Sequence, residues 1–237
     1  MALSGTWPRG PDTHRTRRKV AGMGVVKRGR GKPFTLFAPG GQGEDLEARM
    51  RYADQVPGTK IGFAYEGSGH FGTLAPIRRQ AERDAAEARA VVSDHHQVTQ
   101  AIGFSRGARA IVGALAEDPV LFERVALITP PGGNAAGKYS DWLSSLTGAG
   151  RGEMAAEILV VGNVGDQGHP ARVAQAWAQQ LGAHLEILPS RAVYTDPERV
   201  MSLLAEFFAD PDRIKPDDHN PDYLCLKKVG FIKGTRR

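Results

Sequence analysis

The sequence predicts an α/β fold in which a mostly parallel central sheet is flanked by helices. Three observations support this prediction. Strand-like and helix-like segments alternate between residues 33 and 210, which is typical of a parallel sheet with helical crossovers. The central strand-like segments are apolar without polar alternation, as expected for strands that are buried on both faces. Turns rich in glycine and proline follow several of these segments.

The predicted strands are short apolar runs that end in turn signals. They lie within residues 33–45, 60–72, 97–105, 124–133, 157–163 and 184–190. The predicted helices cover residues 75–94, 106–118, 170–182 and 196–210. Gly182 is placed to end the third helix, while Asp196 and Pro197 are placed to cap and begin the fourth. Residues 134–152 are a short polar stretch for which we expect one or two helical turns.

Charge is distributed unevenly along the 237 residues. Residues 1–32 carry nine Lys or Arg against one Asp, a net charge of +8, and residues 211–237 carry seven basic against four acidic residues, a net +3. Because the whole chain has a net charge of +5, residues 33–210 carry −6. We therefore expect a basic, disordered N-terminal arm (1–32), one α/β domain (33–210) and a C-terminal extension (211–237).

Several classes of function find no support in the sequence. A single cysteine, Cys225, excludes an internal disulfide, and no His/Cys/carboxylate cluster has metal-ligand spacing. No dinucleotide-binding fingerprint follows the first strand, so no cofactor is predicted. There is neither a secretory signal nor an apolar run that could cross a membrane, so we expect a cytoplasmic protein without a nucleic-acid or membrane partner. Whether translation starts at Met1 or at Met23 stays open.

Four short motifs follow the predicted strands in a characteristic order. Residues 103–107 read Gly-Phe-Ser-Arg-Gly, the G-x-S-x-G pattern, between a strand and a helix. The other three are "PGGQG" at 39–43, "YEGSGHFG" at 65–72 and "GNVGDQGHP" at 162–170. Together these motifs resemble the α/β-hydrolase superfamily over about residues 33–210. The resemblance implies an α/β-hydrolase fold with a minimal cap, because little chain follows residue 130 before the next strand.

The resemblance also implies catalytic roles for individual residues. Ser105 corresponds to the nucleophile, on a strained turn that presents its hydroxyl above the sheet edge. Asp166 corresponds to the triad acid. The backbone amides of Gly41 and Arg106 correspond to the oxyanion hole, which stabilises the charge that develops during acyl transfer. Pro39 stands where the superfamily has a histidine, which leaves the two amide donors unaffected.

The superfamily's catalytic histidine is missing from its usual place. It follows the last strand, where this chain reads "SRAVYTD" at 190–196. A serine needs a base to accept its proton, so loss of this histidine removes a triad member. His169, three residues after Asp166, is the favoured substitute, and His70 in the 65–72 turn is the other candidate.

Two enzymatic functions fit this pattern, and a binding protein without catalytic activity is a third alternative. The first is a serine hydrolase of the esterase or thioesterase type that uses Ser105, Asp166 and His169 and takes an acyl or peptide-derived small molecule. The second is a non-hydrolytic relative, resembling superfamily members that have lost triad residues and act as epimerases or cyclases, as in bottromycin-type peptide biosynthesis. In either case the expected substrate contacts come from the same four residues: Gln42, His70, Phe71 and Trp142. Oligomeric state is not predictable.

Overall fold

A computed structural model describes residues 16–20, 23–40, 46–65, 74–132, 143, 155–165, 171–189 and 192–210. The strands are β1 (Thr16–Val20), β2 (Met23–Arg28), β3 (Phe34–Ala38), β4 (Thr59–Phe63), β5 (Val98–Phe104), β6 (Arg124–Ile128), β7 (Glu157–Asn163) and β8 (His184–Leu188). The helices are α1 (Leu46–Met50), α2 (Leu74–Asp94), α3 (Arg106–Glu117), α4 (Ala171–Leu181), α5 (Ala192–Thr195) and α6 (Pro197–Ala209), and a 3-10 turn (Arg51–Ala53) follows α1.

Within the described residues, all strands join one eight-stranded sheet in the order β1-β2-β4-β3-β5-β6-β7-β8. Strand β2 is antiparallel to both of its neighbours, and the pairs from β4 through β3 to β8 are parallel. The chain leaves β3 to form β4 on one side and then crosses to form β5 on the other. The carboxyl ends of β3 and β5 therefore border a topological switch point, the place where open α/β sheets bind their ligands.

Two apolar layers cover the sheet, one on each face. Alternate strand residues supply both layers, so that Leu36 belongs to one and Phe37 to the other. Helices α2, α3 and α4 pack on the first face, where Trp177 is almost fully buried. The second face is covered by α1, the 3-10 turn, α5 and α6, with Phe207 buried among them. Strands that are covered on both faces explain the apolar runs in the sequence.

Local signals in the sequence act as expected at two helix ends. The Asp196 side chain accepts a hydrogen bond from the backbone N–H of Arg199 at 3.2 Å, and Pro197 begins α6. Gly182 follows α4 with a φ of 63°, a left-handed conformation that glycine adopts without steric cost. The predicted α/β-hydrolase architecture of strands and helices after residue 33 is confirmed, whereas α1 and α5, each of five residues or fewer, were not predicted.

The N-terminal segment is where the structure differs from expectation. The prediction of a disordered arm over residues 1–32 is wrong for the residues that form β1 and β2. Met23, Val25 and Val26 are buried and pack against the layers of the main sheet, which provides the apolar burial that holds these strands despite their charge. The sheet therefore begins before residue 33. Residues 1–15, the cap segment at 133–142 and 144–154, and the extension 211–237 lie outside the described residues.

Candidate active site

Ser105 stands in a strained turn between β5 and α3. Its φ of 51° and ψ of −107° lie in a region that residues other than glycine rarely occupy. Two backbone hydrogen bonds hold the turn: the Ser105 N–H donates to the Ile128 carbonyl at 2.9 Å, and the Ala108 N–H donates to the Ser105 carbonyl at 3.0 Å. The Ser105 side chain does not cap the helix that it precedes. The turn is a nucleophile elbow in shape, and its serine is not serving as a helix cap.

The two glycines of the motif allow this turn because no side chain fits at either position. A Cβ on Gly103 would lie 2.7 Å from the Cα of Ala108. A Cβ on Gly107 would overlap the carbonyl group of Ala38, the last residue of β3. The start of α3 therefore packs directly on the end of β3. The same contact includes the carbonyl of Pro39, the first residue after β3, so this residue lies against Gly107, two residues after Ser105.

Arg106 contributes more than the backbone amide that the motif predicts. Its Nε and Nη2 donate to the two carboxylate oxygens of Asp84 at 2.8 and 2.6 Å, and both side chains are buried. Arg109, one turn further along α3, donates to the same carboxylate at 2.6 Å. The Tyr65 ring lies 4.1 Å from the Arg106 guanidinium carbon, a cation–π contact. These four residues form what we call the Asp84 cluster: Asp84, Arg106, Arg109 and Tyr65.

Burial shifts the ionisation of this cluster in two ways. Burial opposes the charged form of Arg106, but the hydrogen bonds and charge of Asp84 outweigh it and raise the pKa of the guanidinium above its ordinary value. Burial, with the Asp84 charge adding to it, raises the pKa of Tyr65 well above its ordinary value. Arg106 is therefore charged and Tyr65 neutral at physiological pH. The Tyr65 hydroxyl has no hydrogen-bond partner among the described residues.

Two more buried polar residues stand at the carboxyl edge of the sheet. Thr129 directly follows β6, is fully buried and has a φ of 44°, an outlier for a β-branched residue. Asn163 ends β7 and is also fully buried. Within the described part of the chain, the Thr129 hydroxyl and the Asn163 Nδ2 have no hydrogen-bond partner. In the described part of the chain, both non-glycine residues with a positive φ, Ser105 and Thr129, thus lie on this edge, beside buried polar groups without a partner, and both features are costly.

The segment after β8, where the superfamily's histidine is expected, is a packed helical turn. Val193 in α5 is fully buried, and both of its backbone polar groups are satisfied. Its N–H donates to Asn163 Oδ1 at 3.1 Å, and its carbonyl accepts from the Tyr52 hydroxyl at 2.6 Å. The next residue, Tyr194, packs edge-on against Phe104 with ring centroids 6.1 Å apart. This segment provides packing around β5 and contains no histidine.

The histidines of the described ranges lie at the amino-terminal ends of the parallel strands, away from the carboxyl ends where Ser105 lies. His95 and His96 precede β5, and His184 is the first residue of β8. They are therefore remote from Ser105, which follows the carboxyl end of β5. Of the predicted site, the structure places Ser105 and Arg106 together. The other seven predicted residues lie outside the described ranges: Gly41, Gln42, His70, Phe71, Trp142, Asp166 and His169.

A parallel sheet with a nucleophile elbow at its switch point defines a class of protein, the α/β-hydrolase fold. No family model matches the chain, and no curated protein matches it in sequence. Solved structures do match. A CIB-like hydrolase from Thermoplasma acidophilum is 16% identical, with a TM-score of 0.60 over 84% of this chain and 98% of that one.

Two further structures carry enzyme names. A serine hydrolase from Cycloclasticus zankles is 11% identical, with a TM-score of 0.60 over 86% of this chain and 100% of that one. The thioesterase domain from the curacin biosynthetic pathway is 10% identical, with a TM-score of 0.56 over 82% of this chain and 99% of the domain. At these identities the likeness shows the fold alone. The chain has the α/β-hydrolase fold, as the motifs predict.

Neither a metal site nor a membrane-spanning helix occurs within the described residues. No group of three or more His, Cys, Asp or Glu side chains there could hold a metal ion. No helix in those ranges is long and apolar enough to cross a membrane.

Proposed function

We propose that this protein is an enzyme, a small serine hydrolase of the esterase or thioesterase type that acts on an acyl or peptide-derived small molecule through Ser105. The observation that carries the proposal is the elbow itself. A serine is held in a strained conformation at the switch point of the sheet, and its side chain is not used to cap α3. The serine hydrolase and the thioesterase domain that share the fold support this assignment.

The proposed reaction proceeds through an acyl-enzyme. Ser105 Oγ attacks the acyl carbon while a base accepts the hydroxyl proton. The resulting oxyanion accepts hydrogen bonds from the Gly41 and Arg106 amides. Collapse of this intermediate breaks the bond to the leaving group, which departs with the proton held by the base. Water then attacks the acyl-enzyme in the same way, and the free acid and Ser105 are released.

We assign the base to His169, oriented by Asp166, with His70 as the second candidate. The histidines at the amino-terminal ends of the parallel strands, His95, His96 and His184, are too remote for this role. Gln42, His70, Phe71 and Trp142 are the proposed substrate contacts, since they belong to the segments that follow β3, β4 and β6.

A fluorophosphonate probe tests the nucleophile directly, because it reacts covalently with activated serines. We expect stoichiometric labelling of the wild-type protein at Ser105, mapped by peptide mass spectrometry, and no labelling of Ser105→Ala. Labelling at another residue, or equal labelling of Ser105→Ala, would contradict the assignment.

The base is tested by labelling rates in three histidine variants. We expect His169→Ala to slow labelling by about a hundredfold or more, within the range attributed to general-base catalysis. The matched control is His96→Ala, an exposed histidine before β5, which should label at the wild-type rate. If His70→Ala is slowed and His169→Ala is not, the base is His70.

One observation favours a second function, a non-hydrolytic epimerase or cyclase. The segment that follows β8 has no histidine, and Val193 within it is buried with its backbone N–H and carbonyl both hydrogen-bonded. In such an enzyme Ser105 or Asp166 would orient the substrate, whose own groups help to move the proton. A folded wild-type protein that the probe leaves unlabelled would favour this function. Incorporation of deuterium from D2O at the α-carbon of an aspartate-containing peptide, lost in Asp166→Asn, would then support the epimerase.

A further inference from the structure

We propose that Asp84 and the Arg106 side chain are positioning residues for the oxyanion hole. The inference rests on the proposed function, in which the Arg106 N–H stabilises the oxyanion formed at Ser105. Arg106 is the first residue of α3, so its N–H has no acceptor within the helix and is oriented by whatever holds the residue. The side chain of the same residue is anchored to a different helix, α2, through Asp84.

The anchor fixes orientation as well as distance. A guanidinium that binds both oxygens of a carboxylate has a defined plane, unlike a single hydrogen bond about which a side chain can rotate. The Arg106 and Asp84 side chains are 4% and 0% exposed, so water does not compete for these bonds. The Tyr65 ring covers the Arg106 guanidinium from the end of β4.

Backbone packing restrains the neighbouring residues from the other side. The Ser105 N–H donates a hydrogen bond to a carbonyl of β6, and Gly107 packs against the Ala38 carbonyl. The peptide between Ser105 and Arg106 is therefore restrained through its own residues and through the Arg106 side chain. A donor that is fixed before the charge develops needs no reorganisation during the reaction, which is the basis of oxyanion stabilisation.

Arg109 provides a matched control for this role. It donates to the same Asp84 carboxylate from the same helix and is equally buried. Replacing either arginine leaves the other one paired with Asp84, so neither variant creates an unpaired buried carboxylate. Arg106 is adjacent to Ser105 in the chain, whereas Arg109 is one turn away. If the cluster only joins α2 to α3, the two variants should behave alike.

The test compares fluorophosphonate labelling of Ser105 in Arg106→Met and Arg109→Met, because the phosphoryl oxygen of the probe occupies the oxyanion site. We expect the rate constant for Arg106→Met to fall by about tenfold or more, which is less than the roughly 10²- to 10³-fold for removal of an oxyanion donor because the N–H is retained and only its orientation is loosened. Arg109→Met should stay within about twofold of the wild type. Thermal melts of both variants confirm that they are compared in the folded state.

A second pair covers the case in which the methionine variants do not fold. Arg106→Lys retains the positive charge but cannot bind both carboxylate oxygens of Asp84 in one plane. Arg109 donates one hydrogen bond to Asp84, which the lysine of Arg109→Lys can replace. Labelling of Arg106→Lys should then be severalfold slower than that of Arg109→Lys. Equal rates within either pair, with a labelled wild type, would overturn this inference alone. An unlabelled wild type would overturn the proposed function and this inference with it.

Discussion

The turns that follow β5 and β8 lie on the same edge of one sheet and are built in opposite ways. After β5, the backbone of Ser105 is strained, and no side chain fits at Gly103 or Gly107. After β8, Val193 is buried with both of its backbone groups hydrogen-bonded. Among the described residues of these two turns, only Ser105 has a strained backbone, while the turn that carries the histidine in related folds contributes packing. Under the proposed function, this difference separates the turn that carries the nucleophile from the turn that packs beside it.

The largest effect is expected from filling the space at the elbow. Gly107→Ala would place a methyl group against the Ala38 carbonyl, and the backbone on both sides would have to move. We expect a loss of about 3 kcal/mol in the free energy of unfolding, measured by urea denaturation. Gly24→Ala is the control, because a Cβ there meets nothing within 4 Å, and its change should stay within about 0.5 kcal/mol.

A smaller effect is expected at the turn after β8. Asn163→Ala removes the acceptor for the Val193 N–H, and Tyr52→Phe removes the donor to the Val193 carbonyl. Each should lower the free energy of unfolding by about 1–2 kcal/mol, since a buried backbone group loses its partner. Labelling of Ser105 should stay within about twofold of the wild-type rate. A labelling defect as large as that of His169→Ala would show that this turn takes part in the reaction.

The smallest effect has the opposite sign. Ser105→Gly relieves the strain at a φ of 51°, so we expect the folded state to gain about 1 kcal/mol by thermal or urea unfolding. Ser105→Ala retains the Cβ and should show no such gain. Both variants lose probe labelling. If glycine and alanine give equal stabilities, the turn is not strained and the comparison between the two turns loses its basis.

The sequence predicts the elbow well because its cause is local. Gly103, Ser105 and Gly107 lie within five consecutive residues, and a strand followed by a helix is visible in the apolar pattern around them. Asp84 could not be predicted in the same way. Helix α2 contains Glu82, Asp84 and Glu87, and nothing local distinguishes the one that α3 buries. That choice depends on how two helices pack, which a pattern along one helix does not contain.

The missed strands have a related explanation. The segment that forms β1 and β2 is dense in Lys and Arg, and this composition favours disorder when the segment is considered alone. What stabilises it is a long-range pairing, in which β2 joins β4 in antiparallel register from Val25 opposite Phe63 to Arg28 opposite Lys60. The composition of the segment does not indicate that β4 will pair with it. The strands from β3 onward were predictable because their own apolar runs require burial.

The position of β1 has a consequence for how copies of this protein meet one another. Edge strands leave backbone N–H and C=O groups available to another chain, which favours aggregation. Here the edge strand carries Arg17, Arg18 and Lys19 in succession. Two such edges brought together would join two segments of like net charge, and this repulsion opposes growth of the sheet from that side.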